Sequence, residues 1–219
     1  MDRKIVLGLI AISTLAIIIA ISLPGGRKVD SNPKLPWQIT TDADGNTSVF
    51  GLTLGKSTLK DAELSFENAA TLSLFRTTSG EYSVEAYFDR IYLSGLKANL
   101  VLTLEVSAQQ AQEIFSRGIR ISQLGDGSKK VEISEEDKQH LGGSTIDLIT
   151  YLPAADLEAP LIAKHFGIPD RKIAEGEHLT HWLYPDKGLD ITVNSDGKEV
   201  FQYLTPSEFQ RVISPLEKL

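Results

Sequence analysis

The stretch Lys97-Ala98-Asn99-Leu100-Val101-Leu102-Thr103-Leu104-Glu105-Val106 decides the fold, because it is the clearest β-strand pattern in the chain. A period of two separates its residues into a buried face and a solvent face, and only Val101 interrupts the polar side. The apolar members are Ala98, Leu100, Leu102, Leu104 and Val106. Ser107-Ala108-Gln109-Gln110 follows at once as a capping box and predicts a helix that ends at Gly118. Earlier in the chain, Ser57 or Thr58 is the predicted N-cap of another helix.

A comparable pattern returns in the second half of the chain. Thr205-Pro206-Ser207-Glu208 is another capping box, 98 residues after the first, and it also follows an amphipathic strand. We therefore expect an α+β fold in which two diverged units each pack helices on an antiparallel meander. The predicted boundaries are residues 37–122 for the first unit, 123–143 for a polar connector and 144–219 for the second unit.

An apolar run without charge spans residues 5–23. As a helix it would be about 28 Å long, close to the roughly 30 Å hydrocarbon core of a bilayer. We predict that residues 1–23 form an N-terminal transmembrane helix and that residues 24–36, rich in Pro, Gly and polar side chains, form a linker. The alternative is a cleaved signal peptide with its cleavage site at Ala20-Ile21-Ser22, but the run is longer than a typical h-region.

The charges that flank this run give little bias in orientation, because Arg3 and Lys4 on one side balance Arg27 and Lys28 on the other. The N-terminal flank is short, and a short tail ahead of a single anchor commonly stays in the cytoplasm. We therefore expect a single-pass protein of the inner (cytoplasmic) membrane. Its C-terminal domain would lie outside the cytoplasm, in the periplasm.

The composition is that of an ordinary globular protein and excludes several classes. Of the 219 residues, 42% are hydrophobic and 23% are charged, which excludes extensive disorder and fibrous repeats. The formal net charge of −7 argues against a nucleic-acid partner. The chain has no cysteine, which excludes disulfides, thiolate metal sites, a cysteine nucleophile and lipid attachment through cysteine.

No pattern in the chain predicts catalysis, a cofactor or a metal site. The closest histidine pair, His178 and His181, falls at the start of a predicted strand, where a spacing of three puts the side chains on opposite faces. We therefore interpret both histidines as surface residues. The sequence contains neither a Gly-x-Ser-x-Gly elbow nor a phosphate-binding glycine loop, and we predict that the protein is not an enzyme.

Four short motifs stand out in the two halves of the chain. They are Phe50-Gly51-Leu52-Thr53-Leu54-Gly55-Lys56-Ser57-Thr58-Leu59, Phe166-Gly167-Ile168-Pro169, Trp182-Leu183-Tyr184 and Asp196-Gly197-Lys198. The first resembles the opening, and the others the ending, of the small BamE/SmpA/OmlA envelope proteins. The tandem arrangement resembles that of β-lactamase inhibitory proteins. This resemblance implies a non-enzymatic envelope protein that works by contacting other proteins.

One sheet surface is a candidate for binding a partner. In the predicted sheet Tyr87, Phe201 and Tyr203 lie opposite the apolar rows, and Trp182 and Tyr184 share one side of their strand. Aromatic residues among polar ones on an uncovered sheet face are typical of protein interfaces. The candidate partner-binding residues are therefore Tyr87, Trp182, Tyr184, Phe201 and Tyr203. The alternative is that all but Tyr87 belong to the core.

The sequence therefore predicts a membrane-anchored, envelope-facing protein-interaction module without catalytic activity, cofactor or metal. Its expected partners are the membrane and a protein of the envelope. Two alternatives stay open, a binder of a small ligand or a cell-wall glycan and an uncharacterised hydrolase. On the strand before the second capping box, Leu204 aligns with Val106 of the first half and Tyr203 with Glu105. We therefore expect Leu204 to be buried and Tyr203 to face outward.

Overall fold

Strands dominate the part of the chain that the structure describes, residues 33–217. In this computed structural model, 39% of the described residues lie in strands and 25% in helices. A ten-stranded sheet carries most of the fold, and a separate three-stranded sheet precedes it along the chain.

The described elements follow one another in a simple order. The three-stranded sheet is formed by β1 (Thr40–Thr41), β2 (Thr47–Val49) and β3 (Leu52–Thr53). The strands of the large sheet are β4 (Thr71–Arg76), β5 (Tyr82–Leu93), β6 (Leu96–Leu104), β7 (Arg120–Gln123), β8 (Lys129–Glu132), β9 (Ile146–Pro153), β10 (Arg171–Glu175), β11 (Leu179–Tyr184), β12 (Leu189–Asn194) and β13 (Val200–Tyr203). The helices are α1 (Leu59–Phe66), α2 (Ala108–Arg117), α3 (Glu135–Leu141), α4 (Ala159–Phe166) and α5 (Gln210–Leu216).

The large sheet is antiparallel throughout, in the order β10-β11-β12-β13-β9-β6-β5-β4-β8-β7. Its middle strand β9 pairs with β6 on one side and with β13 on the other. The predicted fold class, two α+β helix-plus-meander units, is therefore wrong, because both meanders belong to one sheet. The physical reason is the position of β9. Without it, β6 and β13 would be edge strands with unpaired backbone N–H and C=O groups, and β9 forms hydrogen bonds with both.

The sequence patterns do not predict four strands of this sheet. In β4, Leu72, Ser73 and Leu74 are all buried, so the strand shows no alternation of apolar and polar residues. β7 and β8 form a polar hairpin, and β8 lies inside residues 123–143, which we predicted to be a connector. β10 is a polar edge strand. Each of β8 and β10 packs one apolar side chain, Val131 in the main core and Ile173 against the cluster of α5, and backbone pairing supplies their other contacts with the sheet.

The two faces of the large sheet differ in how they are covered. One face, called the covered face here, packs in a single core with α1 to α4 and with the three-stranded sheet. Its centre is aromatic, and Phe50 packs on Tyr151 and Tyr203 at centroid distances of 5.3 and 5.5 Å. Of the described helices, α5 alone lies on the opposite face, where its residues pack with Leu183 and Leu148.

Two predicted helix starts are confirmed and one is wrong. Thr58 and Asp61 form a reciprocal capping box at the start of α1, and the Ser107 hydroxyl accepts a hydrogen bond from the Gln110 amide at the start of α2. Thr205 makes no such bond, and a 3-10 turn over Pro206–Glu208 precedes α5. The reason is that the Thr205 hydroxyl is bonded to the Ser207 hydroxyl, 3.0 Å away.

The predicted N-terminal transmembrane helix, residues 1–23, lies outside the described residues. Within residues 33–217, no helix has both the length and the apolar character needed to cross a membrane. The described chain enters the fold through Pro33 to Pro36, and the Tyr203 hydroxyl donates a hydrogen bond of 2.9 Å to the Pro36 carbonyl. This bond ties the entering segment to the core.

Candidate functional site

The face of the large sheet opposite the covered face is largely without a cover, and we call this part the open face. The strand register places Tyr87 opposite Val101, Val101 opposite Thr150 and Thr150 opposite Gln202. Directly opposite residues share a face, so these four side chains form one row across β5, β6, β9 and β13. The open face consists of Tyr87, Val101, Thr103, Thr150, Leu152, Thr192, Val200 and Gln202.

The centre of the open face is uncharged and partly exposed. Val101, Thr150 and Leu152 are neither buried nor fully exposed, as expected of side chains that stand on a sheet without a helix above them. Glu85 and Asp89 lie on β5 at one end of the row, and at the other end Gln202 lies opposite the buried Asp190 of β12. An uncharged centre with charged surroundings is the arrangement found in the cores and rims of protein interfaces.

Tyr87 stands at one end of this row and is 36% exposed. Its hydroxyl donates a hydrogen bond of 3.2 Å to Asp89, whose carboxylate also pairs with Arg90 at 2.7 Å. A β-bulge between Phe88 and Ile91 follows directly, and Arg90 has a positive φ of 49° there. Bulges increase the local twist of a strand, so this end of the open face turns away from a flat sheet.

The other four predicted partner-binding residues lie inside the molecule. Trp182 is 8% exposed, Tyr184 is 3% exposed, and neither Phe201 nor Tyr203 is exposed. The prediction that they form an exposed face is therefore wrong, and the alternative of a core position is right for all four. Tyr87 is the one member of the predicted set that the structure places on the open face.

The strand register explains this correction. Trp182 lies opposite Ile191, Ile191 opposite Phe201 and Phe201 opposite Tyr151, which places all four on the covered face. Alternation then puts Tyr184 and Tyr203 on that face as well. For the end of β13, the prediction is right for Leu204 and wrong for Tyr203.

Leu204 is buried as expected, but Tyr203 is buried too. Leu204 packs in the cluster of α5 on one side of the sheet, whereas Tyr203 belongs to the main core on the other. Because α5 covers this end of the sheet, neither side chain faces solvent. Tyr203 is therefore buried although Glu105, the aligned residue of the first half, is exposed.

A buried charged cluster lies in β10 to β12, where His181 stands between two carboxylates. Its Nδ1 is 2.7 Å from Oδ2 of Asp190, and its Nε2 is 2.9 Å from Oε2 of Glu175. The hydrogen bond to Asp190, helped by the bond to Glu175, outweighs burial and raises the pKa of His181 to about 8. Burial raises the pKa of the Asp190 carboxyl.

The prediction that His181 is a surface residue is wrong, since it is 7% exposed. The physical reason is that β11 is an interior strand, where Ile173 and Thr192 flank His181 from the neighbouring strands. His178 lies apart, exposed, with its Nδ1 3.2 Å from the Ser195 hydroxyl. The two histidines thus share no site.

The geometry of the His181 cluster favours a structural role. The carboxylates of Asp190 and Glu175 approach opposite nitrogens of the ring, so they do not converge on one point, and the described residues include no group suited to hold a metal ion. The Thr192 hydroxyl is 3.4 Å from Nδ1, which already engages Asp190. A general base needs a free ring nitrogen next to its nucleophile, and neither nitrogen of His181 is free.

One sequence signal does point to the open face. Val101 interrupts the polar side of the strand pattern, and the structure places it at the centre of the open face. The positions of Thr150 and Gln202 on this face depend on strand pairing, and no local sequence signal indicates them.

Comparison with known proteins returns no family model, no curated protein and no solved structure that matches the chain. The BamE-like resemblance therefore rests on its four short motifs alone.

Proposed function

We propose that the protein is a non-catalytic, envelope-facing interaction module whose open face binds a protein partner. One observation carries this proposal: an uncharged, partly exposed row crosses four central strands of the sheet without a helix above it. An antiparallel sheet usually buries one face and solvates the other with polar side chains. Here Val101 and Leu152 stand where charged or strongly polar residues would be expected.

The chemistry of the open face indicates the kind of partner surface. Its aliphatic and hydroxyl side chains favour contact with aliphatic or aromatic side chains and with backbone groups of a partner. Because its centre carries no charge, we expect binding that depends weakly on salt. The acidic character of the whole chain makes a nucleic-acid partner unfavourable.

Site-specific photo-crosslinking tests the proposal. A photoreactive amino acid replaces Gln202 on the open face, and in a matched chain it replaces Leu64, which is 69% exposed on α1. Irradiation of cells that express the full chain is expected to give a discrete protein adduct from position 202 and none from position 64. Val101→Glu is expected to abolish the adduct from position 202, whereas Leu64→Glu leaves it unchanged.

Two results would contradict the proposal. One is an equal adduct pattern from both positions, which indicates random collision. The other is an adduct from position 202 that survives Val101→Glu in a chain whose circular dichroism and melting curve are unchanged. In that case the contact at position 202 does not depend on the open face.

Attachment to the cytoplasmic membrane, with the sheet domain in the periplasm, belongs to the same proposal. It rests on the charge-free run 5–23, which as a helix is long enough to cross the hydrocarbon core of a bilayer. Fractionation should place the chain with the membrane, and external protease should digest it in spheroplasts without detergent. Protection of the whole chain from that protease would reverse the proposed orientation.

A further inference from the structure

A pocket lined by cations lies at one end of the open face. Arg90, Lys97 and Lys198 line this pocket of about 390 Å³, together with Leu152 and Val200 of the open face. All three cationic side chains are exposed. A group of three cations stands out in a chain whose formal net charge is −7, and we call these three residues the cationic end.

The strand register places the cationic end on the same side of the sheet as Val101. Lys97 and Asn99 precede Val101 on β6 at a spacing of two, so the three side chains share a face. Asn99 lies opposite Leu152 of the open face. Lys97 lies opposite Tyr92, an aromatic side chain that is 69% exposed. The uncharged centre of the open face therefore continues directly into the cationic end.

The β-bulge of β5 positions Arg90 at this pocket. The Asn99 side-chain oxygen accepts a hydrogen bond of 2.8 Å from the Arg90 amide, where the backbone has its positive φ. The Arg90 guanidinium pairs with Asp89 through Nε, at 2.7 Å. Its two terminal nitrogens form no hydrogen bond within residues 33–217. A guanidinium with free terminal nitrogens can bind a further carboxylate.

The chain itself neutralises the cationic end only in part. Among the described residues, Lys97 forms no ion pair, and Lys198 donates to a neutral acceptor, the Ala154 carbonyl, at 2.8 Å. Glu199 also lines the pocket, but it is 2% exposed, and its carboxylate accepts a hydrogen bond of 2.9 Å from the Leu157 amide. The pocket therefore keeps positive charge with which carboxylates of a partner can pair.

Charges of opposite sign lie on the two sides of Val101. The cationic end precedes Val101 on β6, and Thr103, which follows it, lies opposite Glu85 of β5. A partner with the complementary arrangement of charges can bind in one direction, because the reversed direction brings like charges together. Exposed ion pairs add little affinity, so these charges act mainly on the orientation and the choice of partner.

We propose that the cationic end selects a protein partner that presents carboxylates next to an apolar side chain, a proposal that rests on the proposed function of the open face. The carboxylates bind the cationic end, and the apolar side chain contacts Leu152 and Val101. The phosphates of an anionic membrane also pair with lysine and arginine. A layer of head groups, however, offers no apolar group at the level of its phosphates.

Selection from a random peptide library tests the proposal without knowledge of the natural partner. Twelve-residue peptides displayed on phage are selected on the full chain in a non-ionic detergent, and peptides that also bind the Val101→Gln chain are then removed. This change is neutral, so the removal step does not itself favour acidic peptides. The remaining peptides depend on the open face. They should be enriched, relative to the starting library, in Asp or Glu next to an apolar residue.

Reversal of charge at the cationic end gives the matched comparison. Lys97→Glu combined with Lys198→Glu should weaken binding of the selected peptides by about fivefold or more. The same library should yield basic peptides in place of acidic ones when it is selected on this double variant. The control, Lys60→Glu combined with Lys164→Glu, changes the net charge equally at exposed lysines of α1 and α4 and should leave binding within about twofold.

The outcomes distinguish this proposal from the proposed function of the open face. Peptides that depend on Val101 without an acidic bias would overturn the selectivity and leave the open face as a protein-binding surface. Recovery of no peptide that depends on Val101 would overturn both. Equal weakening in the double variant and its control would show that only net charge acts, which also overturns the selectivity.

Two other occupants of the cationic end have their own signatures. Displacement of the peptides by vesicles of phosphatidylglycerol, but not of phosphatidylcholine, would assign the cationic end to an anionic membrane surface and overturn the protein partner. Sedimentation of the full chain as a dimer that Lys97→Glu with Lys198→Glu dissociates would identify a second copy of the chain as the occupant. That result would overturn the proposal of a different protein.

Discussion

Two buried tyrosines differ in whether the hydroxyl forms a hydrogen bond to the protein. Removal of the hydroxyl should therefore lower stability in one of them and leave it nearly unchanged in the other. The Tyr203 side chain is fully buried, and its hydroxyl donates to the Pro36 carbonyl at 2.9 Å. Tyr151 is 2% exposed, and its hydroxyl makes no hydrogen bond to any described residue. The changes Tyr203→Phe and Tyr151→Phe remove the same atom from two sites of similar burial, so each serves as the control for the other.

The expected magnitudes depend on the hydrogen bond. Tyr203→Phe loses the bond and leaves the Pro36 carbonyl without its donor, which costs about 1–2 kcal/mol of unfolding free energy. Tyr151→Phe removes a polar atom without a protein partner, and the change should be about zero or slightly stabilising. The two unfolding free energies should therefore differ by at least about 1 kcal/mol.

Urea denaturation of the full chain, monitored by far-ultraviolet circular dichroism, measures the unfolding free energy of each variant. The comparison requires that the dependence of this free energy on urea concentration, the m value, is the same in both. Tyr203→Phe should also speed hydrogen exchange at the Gln38 amide, which bonds to the Leu35 carbonyl at 3.1 Å in the segment that Tyr203 fixes. Equal losses of stability in both variants, or a larger loss in Tyr151→Phe, would refute the reasoning.

Two further predictions concern His181 and Gly188 in the second half of the chain. The pKa of His181 is raised to about 8, mainly by its hydrogen bond to Asp190, so its contribution to stability is complete below about pH 6.5 and is lost as the pH rises through about 8. The melting temperature should fall over that window in the native chain, and His181→Gln should remove the decline; a decline that persists would contradict the assignment. Gly188 has a φ of +59°, and a Cβ there would collide with the Leu204 carbonyl, so Gly188→Ala should cost at least about 2 kcal/mol in a denaturation curve. Gly45→Ala, also at positive φ but in open space, should cost only about 1 kcal/mol, and equal costs would show that strain rather than collision dominates.

The sequence predicts a strand or a helix start when the deciding pattern lies within the residues of that element. In β6, Ala98, Leu100 and Leu102 are buried while Thr103 is partly exposed, as the alternation indicates. The start of α1 is equally local, because Thr58 needs only the residues of the first helical turn. Such elements can be predicted because every interaction that decides them lies within a few residues.

The features that the sequence does not predict depend on residues far apart along the chain. The face on which Tyr203 stands is decided by its pairing with Ile149 and by α5, which covers the next residue. The burial of His181 is decided by its two neighbouring strands. Comparison of the two halves suggests the wrong face because the first half has no counterpart of α5 on its open side among the described residues.

The outer strands of the large sheet favour contact through its open face rather than through its edges. At one end, β10 exposes Arg171 and Lys172, and at the other, β7 exposes Arg120. Cations on an edge strand oppose the addition of a further strand, because desolvating them would cost more than the new backbone hydrogen bonds return. A partner that adds a strand would have to overcome this charge at either end. A partner that lies across β5, β6, β9 and β13 meets the uncharged centre at Val101, where contact with apolar side chains requires no charge to be desolvated.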